Sequence, residues 1–318
     1  MNIVVTGGLG FIGSHLIEVL LQKTDANIHC LDNETYAADL IFKNKMSHNK
    51  RVFFHKVDIC KNEQIKCISS YLNDIDYVVH LAAESHVDNS INRPEIFVLT
   101  NVLGTFNILE LAKHKGIKKF VHVSTDEVYG AIEKNEIDNT GFKETDILNP
   151  SSVYSSTKAS SDLLVNSYLK TYKLDTCITR CCNNYGERQN REKLLPKVII
   201  NALADHDIPV YGQGDNVREW IYVKDHCEAI VKVMLEGLPG NIYNIGTANT
   251  ISNIYLVKKV LSILKKDESL ISFVEDRKGH DFKYFIDSNK IKQTLSWSPS
   301  TDFDIGLEKT IDFYKNNL

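Results

Sequence analysis

Several marks of common protein classes are missing from this 318-residue chain. Its seven cysteines are an odd number and include no Cys-x-x-Cys pair. Neither a disulfide framework nor a zinc site finds support, and no metal is expected. Cys30, Cys60, Cys67, Cys177, Cys181, Cys182 and Cys227 read as small packing groups of an intracellular chain. There is no basic tract. The 37 lysines and arginines against 41 acidic residues leave a net charge of -4, which disfavours nucleic acid as a partner. No uninterrupted apolar run has the length of a bilayer span, so no membrane partner is expected. No basic stretch precedes Ile3-Val4-Val5, so a signal peptide is not expected and a cytoplasmic location is. No internal repeat or low-complexity linker breaks the chain.

What is present is ordinary globular composition, 43% hydrophobic and 25% charged. In the first half, short apolar runs alternate with amphipathic stretches. Candidate strands are Ile3 to Thr6, Ile28 to Leu31, Val52 to Lys56, Tyr77 to Leu81, Phe120 to Ser124 and Cys177 to Thr179. Helical spacing follows Gly13, Asn101 and Lys158. This alternation predicts an α/β fold, a doubly wound parallel sheet covered on both faces. After about Asn183, glycines and prolines punctuate a less regular pattern, as in a smaller substrate domain. Glu219 to Leu235 again reads as strand then helix. The expected division is therefore 1–182, with a returning segment at about 216–246, against 183–215 and 247–318.

Thr6-Gly7-Gly8-Leu9-Gly10-Phe11-Ile12-Gly13 follows the first strand and opens the first helix. Glycines at 7, 10 and 13 permit a tight turn and a close approach of backbone to a pyrophosphate, and the helix N-terminus offers N–H donors. Strand-to-helix context makes this a dinucleotide site rather than a plain turn. Asp32 ends the second strand. A carboxylate there accepts from ribose hydroxyls and repels a 2′-phosphate, which favours NAD over NADP. Turn chemistry at Asp32-Asn33 is the competing reading. Asp58-Ile59, after the third strand, is a candidate for the adenine edge.

Ser124-Thr125-Asp126-Glu127-Val128-Tyr129-Gly130 is delivered by the run Phe120 to Val123, which sets a hydroxyl and two carboxyls at a strand end. Tyr154 and Lys158 are four residues apart, one helical turn, so phenol and ammonium share a face. A free phenol has a pKa of about 10, too high for a base at neutral pH. A neighbouring ammonium and an oxidised nicotinamide both favour the phenolate. Two adjacent carboxyls in a partly dry pocket favour a split into one neutral acid and one carboxylate. The alternative for Asp126-Glu127 is a solvated turn.

These segments together closely resemble the extended short-chain dehydrogenase/reductase superfamily and, within it, the dTDP-glucose 4,6-dehydratase family. The resemblance covers essentially the whole chain. It includes Leu81-Ala82-Ala83-Glu84-Ser85-His86-Val87-Asp88, Thr100-Asn101-Val102, Thr179 to Gly186, Glu192-Lys193-Leu194, Val210-Tyr211-Gly212, Arg218-Glu219-Trp220, Tyr243 to Gly246 and Asp276-Arg277-Lys278-Gly279-His280-Asp281. Thr-Asp-Glu at 125–127 is its specific part. The fold implied is Rossmann-like, with a smaller, discontinuous C-terminal substrate domain. The cofactor implied is NAD, held by Gly7, Gly10, Phe11, Ile12, Gly13, Asp32, Asn33, Thr35, Asp58, Ile59, Leu81, Ala82, Ala83, Thr100, Ser124, Tyr154, Lys158 and Asn184.

The resemblance also implies the chemistry. Tyr154 takes the C4 hydroxyl proton as hydride leaves C4, with Thr125 bonded to the same oxygen and Lys158 beside it. Glu127 removes the C5 proton, and Asp126 protonates the departing C6 hydroxyl. Hydride then returns to C6. Glu84, Ser85, Thr125, Asn183, Lys193, Leu194, Pro209, Tyr211, Arg218, Asn253, His280 and Tyr284 are the expected contacts of a nucleotide-sugar substrate. Two departures fall on that side. Glu187-Arg188-Gln189-Asn190-Arg191-Glu192-Lys193 stands where the family has Pro-Tyr-Gln-Phe-Pro-Glu-Lys, and Phe282-Lys283-Tyr284 where it has Arg-Arg-Tyr. They leave dTDP and UDP substrates both open. A C4 epimerase or a uronate decarboxylase of the same superfamily is the alternative, although Asp126-Glu127 argues against the epimerase. A non-catalytic NAD-binding sensor would be expected to lack Tyr154 or Lys158. A homodimer is implied, through helices near Asn101–Lys113 and Ser155–Tyr172.

Overall fold

The computed structural model describes residues 1–134, 140–276 and 279–317. The first half alternates strand and helix: β1 (Asn2–Thr6), α1 (Phe11–Lys23), β2 (Asn27–Asp32), α2 (Leu40–Met46), β3 (Val52–Lys56), α3 (Asn62–Tyr71) and β4 (Tyr77–His80). Two short helices, α4 (Val87–Asn92) and α5 (Pro94–Phe97), lead through a π-helical stretch (Val98–Gly104) into α6 (Thr105–Lys115). Then come β5 (Lys119–Thr125), a 3₁₀ turn (Asp126–Tyr129), α7 (Val153–Tyr172) and β6 (Thr176–Cys181). The rest comprises β7 (Asn183–Tyr185), α8 (Leu194–Leu203), β8 (Ile208–Tyr211), β9 (Val217–Tyr222), α9 (Val223–Glu236), β10 (Ile242–Ile245), β11 (Thr250–Ser252), α10 (Asn253–Leu264), β12 (Ile271–Val274), α11 (Asn289–Leu295) and α12 (Phe303–Asn316).

Seven strands form one parallel sheet in the order β10-β6-β5-β4-β1-β2-β3. Side chains alternate across it. Ile3, Val5, Val79, Val121 and Val123 enter one core with Leu16, Leu20, Ile230 and Met234 of α1 and α9. Val4, Leu31, Val78, Phe120 and Ile178 enter the other with Ile65, Ile68, Ile108, Leu111, Val165 and Tyr168 of α3, α6 and α7. Both faces are covered, so the strands read as near-continuous apolar runs, as the sequence predicted. The winding reverses between β1 and β4, and ligands of such sheets bind beyond the strand C-termini at that point.

The predicted strand-then-helix at 219–235 is β9 and α9. The helix packs on α1, and the following β10 pairs with β6 at the sheet edge. The strand does something else: β9 pairs with β7 and β11 in a separate three-stranded sheet. A third core, including Leu195, Ile199, Val210, Trp220, Val257, Leu261, Leu307 and Ile311, lies under that part.

The continuous helix Pro94–Lys115 is long and apolar enough to cross a membrane by length and composition, and half of its most apolar stretch is buried. Thr100, Asn101, Thr105 and Asn107 break the apolar run in the sequence, whereas a helical window averages over them. This helix packs on α3 and α7.

Beneath the C-terminal end of β5 lies a fully buried polar network. Arg180 Nε donates to Asp162 at 2.9 Å, and its Nη1 donates to the Tyr129 hydroxyl at 2.8 Å. The Tyr129 hydroxyl donates to Asn244 Oδ1 at 2.8 Å, which ties β10 to the 3₁₀ turn. Asp162 has no exposure, so removal of Arg180 strands a carboxylate in the core. Arg180→Met should lower unfolding free energy by about 3–5 kcal/mol. Urea denaturation checks this, and an unchanged midpoint would contradict it.

Candidate active site

One cavity of about 350 Å³ opens at the reversal point, within the ~300–1,000 Å³ usual for small-molecule sites. It brings together residues from the tips of β1, β2, β4, β5 and β6 and from α7. All eighteen residues expected around the dinucleotide line it, from Gly7 in the first turn to Asn184 after β6. So do Thr125, Asp126 and Glu127, and the expected substrate contacts Glu84, Ser85, Asn183 and Lys193.

The glycine turn is built for close approach. Gly7 has φ +68°, and a Cβ there would sit 2.8 Å from the Ala82 backbone. A Cβ on Gly13 would sit 2.2 Å from Gly7 O, so the first turn of α1 can press against β1 only without one. That turn has no side-chain cap and no acidic residue, which leaves its N–H dipole facing the cavity. Asp32 accepts from Leu9 N at 3.0 Å with one oxygen and from Glu34 N at 2.8 Å with the other. Each oxygen keeps a lone pair for a ribose hydroxyl. The turn contacts therefore leave room for the expected ligand role. Gly7, Gly10, Gly13 and Asp32 fit a dinucleotide with an unphosphorylated adenosine ribose.

Asn101 supports the next wall. It lies in the π-helical stretch, where its Oδ1 accepts from Glu84 N at 2.9 Å and its Nδ2 donates to Glu84 O and Thr157 Oγ1. One amide thus fixes the Leu81–Ser85 loop to α7. Burial first, then Glu192, raises the Glu84 carboxyl above its usual range.

At the other end of the cavity, Thr125 Oγ1 caps the 3₁₀ turn by accepting from Glu127 N at 3.3 Å, and it lies 3.2 Å from Asp126 Oδ1. Asp126 is buried and Glu127 half-buried, so 126–127 is not a solvated turn. Burial, then the carboxylates of Glu127 and Glu219, hold the Asp126 carboxyl well above its ordinary value. Lys158 Nζ donates to Val123 O at 2.8 Å and lies 3.5 Å from His122 Nε2. Burial pulls the ammonium down to about 8 against the pull of Asp162.

Burial, then Glu127, push the Tyr154 phenol well above its ordinary value, and a hydrogen bond with Thr125 opposes them; the expected lowering calls for the charge of an oxidised nicotinamide as well as Lys158. Lys158 spends its short hydrogen bond on a backbone carbonyl rather than on the phenol.

Other expected substrate residues lie outside the cavity lining. Leu194 opens α8, Pro209 and Tyr211 belong to β8, and Asn253 opens α10. Arg218 donates to the carbonyls of Val217, Phe282 and Asp281 and lies 4.4 Å over the Tyr284 ring. Tyr284 is buried, with its hydroxyl donating to Asp281. His280 bonds Asp276 at 2.6 Å and meets the Tyr211 ring edge-on. Arg277 and Lys278 of that motif lie outside the described residues. Tyr36, Cys181, Cys182, Gln189, Asn190 and Glu192 also line the cavity without having been singled out. Each is a near neighbour of a residue that was, which was the available signal.

The family model described as GDP-mannose 4,6 dehydratase matches residues 4–310. The chain belongs to that family. A dTDP-glucose 4,6-dehydratase of Escherichia coli is 43% identical over 342 residues, covering 100% of this chain and 94% of the relative. A low-salt glycan biosynthesis protein of Haloferax volcanii is 45% identical over 314 residues, covering 99% and 98%. Among solved structures, a dTDP-glucose 4,6-dehydratase of Streptomyces venezuelae with NAD and dTDP bound superposes with a TM-score of 0.95. It shares 41% identity and covers 100% of this chain and 98% of that one.

Proposed function

We infer that this protein is an NAD-dependent nucleotide-sugar 4,6-dehydratase. It oxidises C4 of dTDP-glucose, eliminates water across C5 and C6, and reduces C6 to give the 4-keto-6-deoxy sugar nucleotide. The observation that carries this reading is the adjacent pair Asp126-Glu127, one buried and one half-buried, beside Tyr154 in one cavity. NAD, when bound, supplies a two-electron acceptor that becomes the donor for C6.

The side chains divide the proton work. The Tyr154 phenol, with Thr125 beside it, faces the C4 hydroxyl and takes its proton once cationic charge offsets the burial that holds it neutral. Lys158 is the fixed cation on the same helical face. Oxidation at C4 acidifies C5, and Glu127 removes that proton. Asp126, kept protonated by burial and by Glu127, donates to the departing C6 hydroxyl. An epimerase has no leaving hydroxyl and no use for such an acid. UDP-glucose remains the second substrate to try, since no residue lining the cavity decides the base.

We assign 1–182, with α9 and β10 of the returning segment expected at 216–246, to the cofactor half, and 183–215 with β9 and 247–318 to the substrate half. Arg218, Tyr211, Pro209, Leu194, Asn253, His280 and Tyr284 belong to the nucleotide end of the substrate. Val98, Leu99, Leu103 and Phe106, with Val153 and Leu163 of the adjoining α7, expose apolar side chains. These suit a homodimer packed through both helices. Sedimentation velocity should give a dimer, and a monomer at assay concentration would contradict this. The cytoplasm suits seven free thiols.

Purified protein incubated with dTDP-glucose should yield a product that develops the ultraviolet band of a 4-keto-6-deoxy sugar in alkali. Glu127→Gln should retain NAD and substrate yet lose about 10²–10⁴-fold in kcat. Undiminished turnover would remove Glu127 from its role. Lys158 carries its charge below about 8 and loses it above, so kcat should decline through that region as pH rises. A profile flat across it would show that the ammonium is not required.

A further inference from the structure

Within the run Glu187 to Arg191, the structure takes Arg188 away from the cavity. Segment 186–193 runs between β7 and α8. Gln189, Asn190, Glu192 and Lys193 of it line the cavity, but Arg188 turns the other way. Its Nη2 donates to Glu18 of α1 at 2.7 Å, and its Nη1 lies 3.3 Å from the other oxygen of the same carboxylate. Its Nε lies 4.0 Å from Asp39, the residue that caps α2 by accepting from Phe42 N. The guanidinium sits 5.1 Å over the Phe42 ring. The residue adopts φ +65°, a left-handed conformation that disfavours any side chain, so these contacts must outweigh a backbone cost.

The same segment is fastened at its other end. Glu192 accepts from the Tyr36 hydroxyl at 3.2 Å, and Lys193 Nζ donates to Ser85 O at 2.9 Å. Tyr36 and Asp39 belong to the loop that follows Asp32. Arg188 and Glu192 therefore button segment 186–193 to that loop at two points, with the cavity between them. Among the described residues lining the cavity, neither Arg188 nor Glu18 is found.

We propose that the Arg188–Glu18 pair is a latch for the dinucleotide. It holds segment 186–193 against α1 and the 33–39 loop, and so sets the rate at which cofactor escapes. Arg188 is a positioning residue in this account. The pair is partly buried, with side chains 17% and 22% exposed, so its loss is felt in dissociation more than a surface pair's would be. The planar fork of arginine suits two-point contact with one carboxylate, which lysine would not reproduce.

The proposal rests on the cofactor reading above, and release kinetics separate the two. Wild type, Arg188→Met, Glu18→Gln and the charge exchange Glu18→Arg with Arg188→Glu are each loaded with NADH and chased with excess NAD while NADH fluorescence is followed. Both single variants should release NADH about tenfold faster than wild type. The exchanged pair should return toward the wild-type rate. Glu18→Gln is an isosteric change on a helix surface and keeps the test valid if Arg188→Met folds poorly. Unchanged release from the single variants would overturn the latch alone, as would an exchanged pair as fast as the singles. A wild-type protein that takes up no NADH would overturn both readings.

Discussion

Two neighbouring carboxyls cannot both keep a charge where water is scarce, and the rest of this site depends on that. Asp126 is enclosed by protein, with a second carboxylate at Glu127 and a third at Glu219. Removing water penalises its charged form, and the neighbouring charges penalise it again. The neutral acid needed to expel a hydroxyl is thus set by placement, with no special chemistry in the side chain itself. Glu127 is less enclosed, which suits the basic role proposed for it. One sequence step separates the two environments.

The fold produces that step at the end of β5, buried along its whole length and held between β4 and β6. Its register sets Thr125 opposite Cys181, so the end of the strand is walled before the chain turns. Both 126 and 127 of the 3₁₀ turn line the cavity, 126 buried and 127 half-buried. Below it, the Asp162–Arg180–Tyr129–Asn244 chain ties α7, β6, the turn and β10 into one unit. Glu219 serves two ends. It accepts from the backbone of Thr247, Ala248 and Ile286, and it adds charge pressure on Asp126.

The parallel sheet was readable because strands buried on both faces leave near-continuous apolar runs, and helices leave a different period. The glycine turn and Tyr154-x-x-x-Lys158 were readable because each spacing has a mechanical meaning by itself. Long-range pairings leave no such trace. That β9 joins β7 and β11 depends on which strand end lies near it in space, and no local pattern encodes that. Helical spacing shows which face Lys158 shares with Tyr154 but not which acceptor its ammonium chooses. Asn101 stood in the sequence within a matching segment and with no role attached, and only the π-helical stretch reveals that its amide clamps Glu84. Arg188 sat in a run expected on the substrate side, and the sequence could not say that its side chain points at α1 instead.

The central claim is that Asp126 carries a proton in the resting protein. An infrared difference spectrum, wild type minus Asp126→Asn near neutral pH, tests it most directly. The account predicts the carbonyl stretch of a protonated carboxylic acid in the wild type that the variant lacks. A spectrum in which Asp126 contributes only carboxylate bands would contradict it.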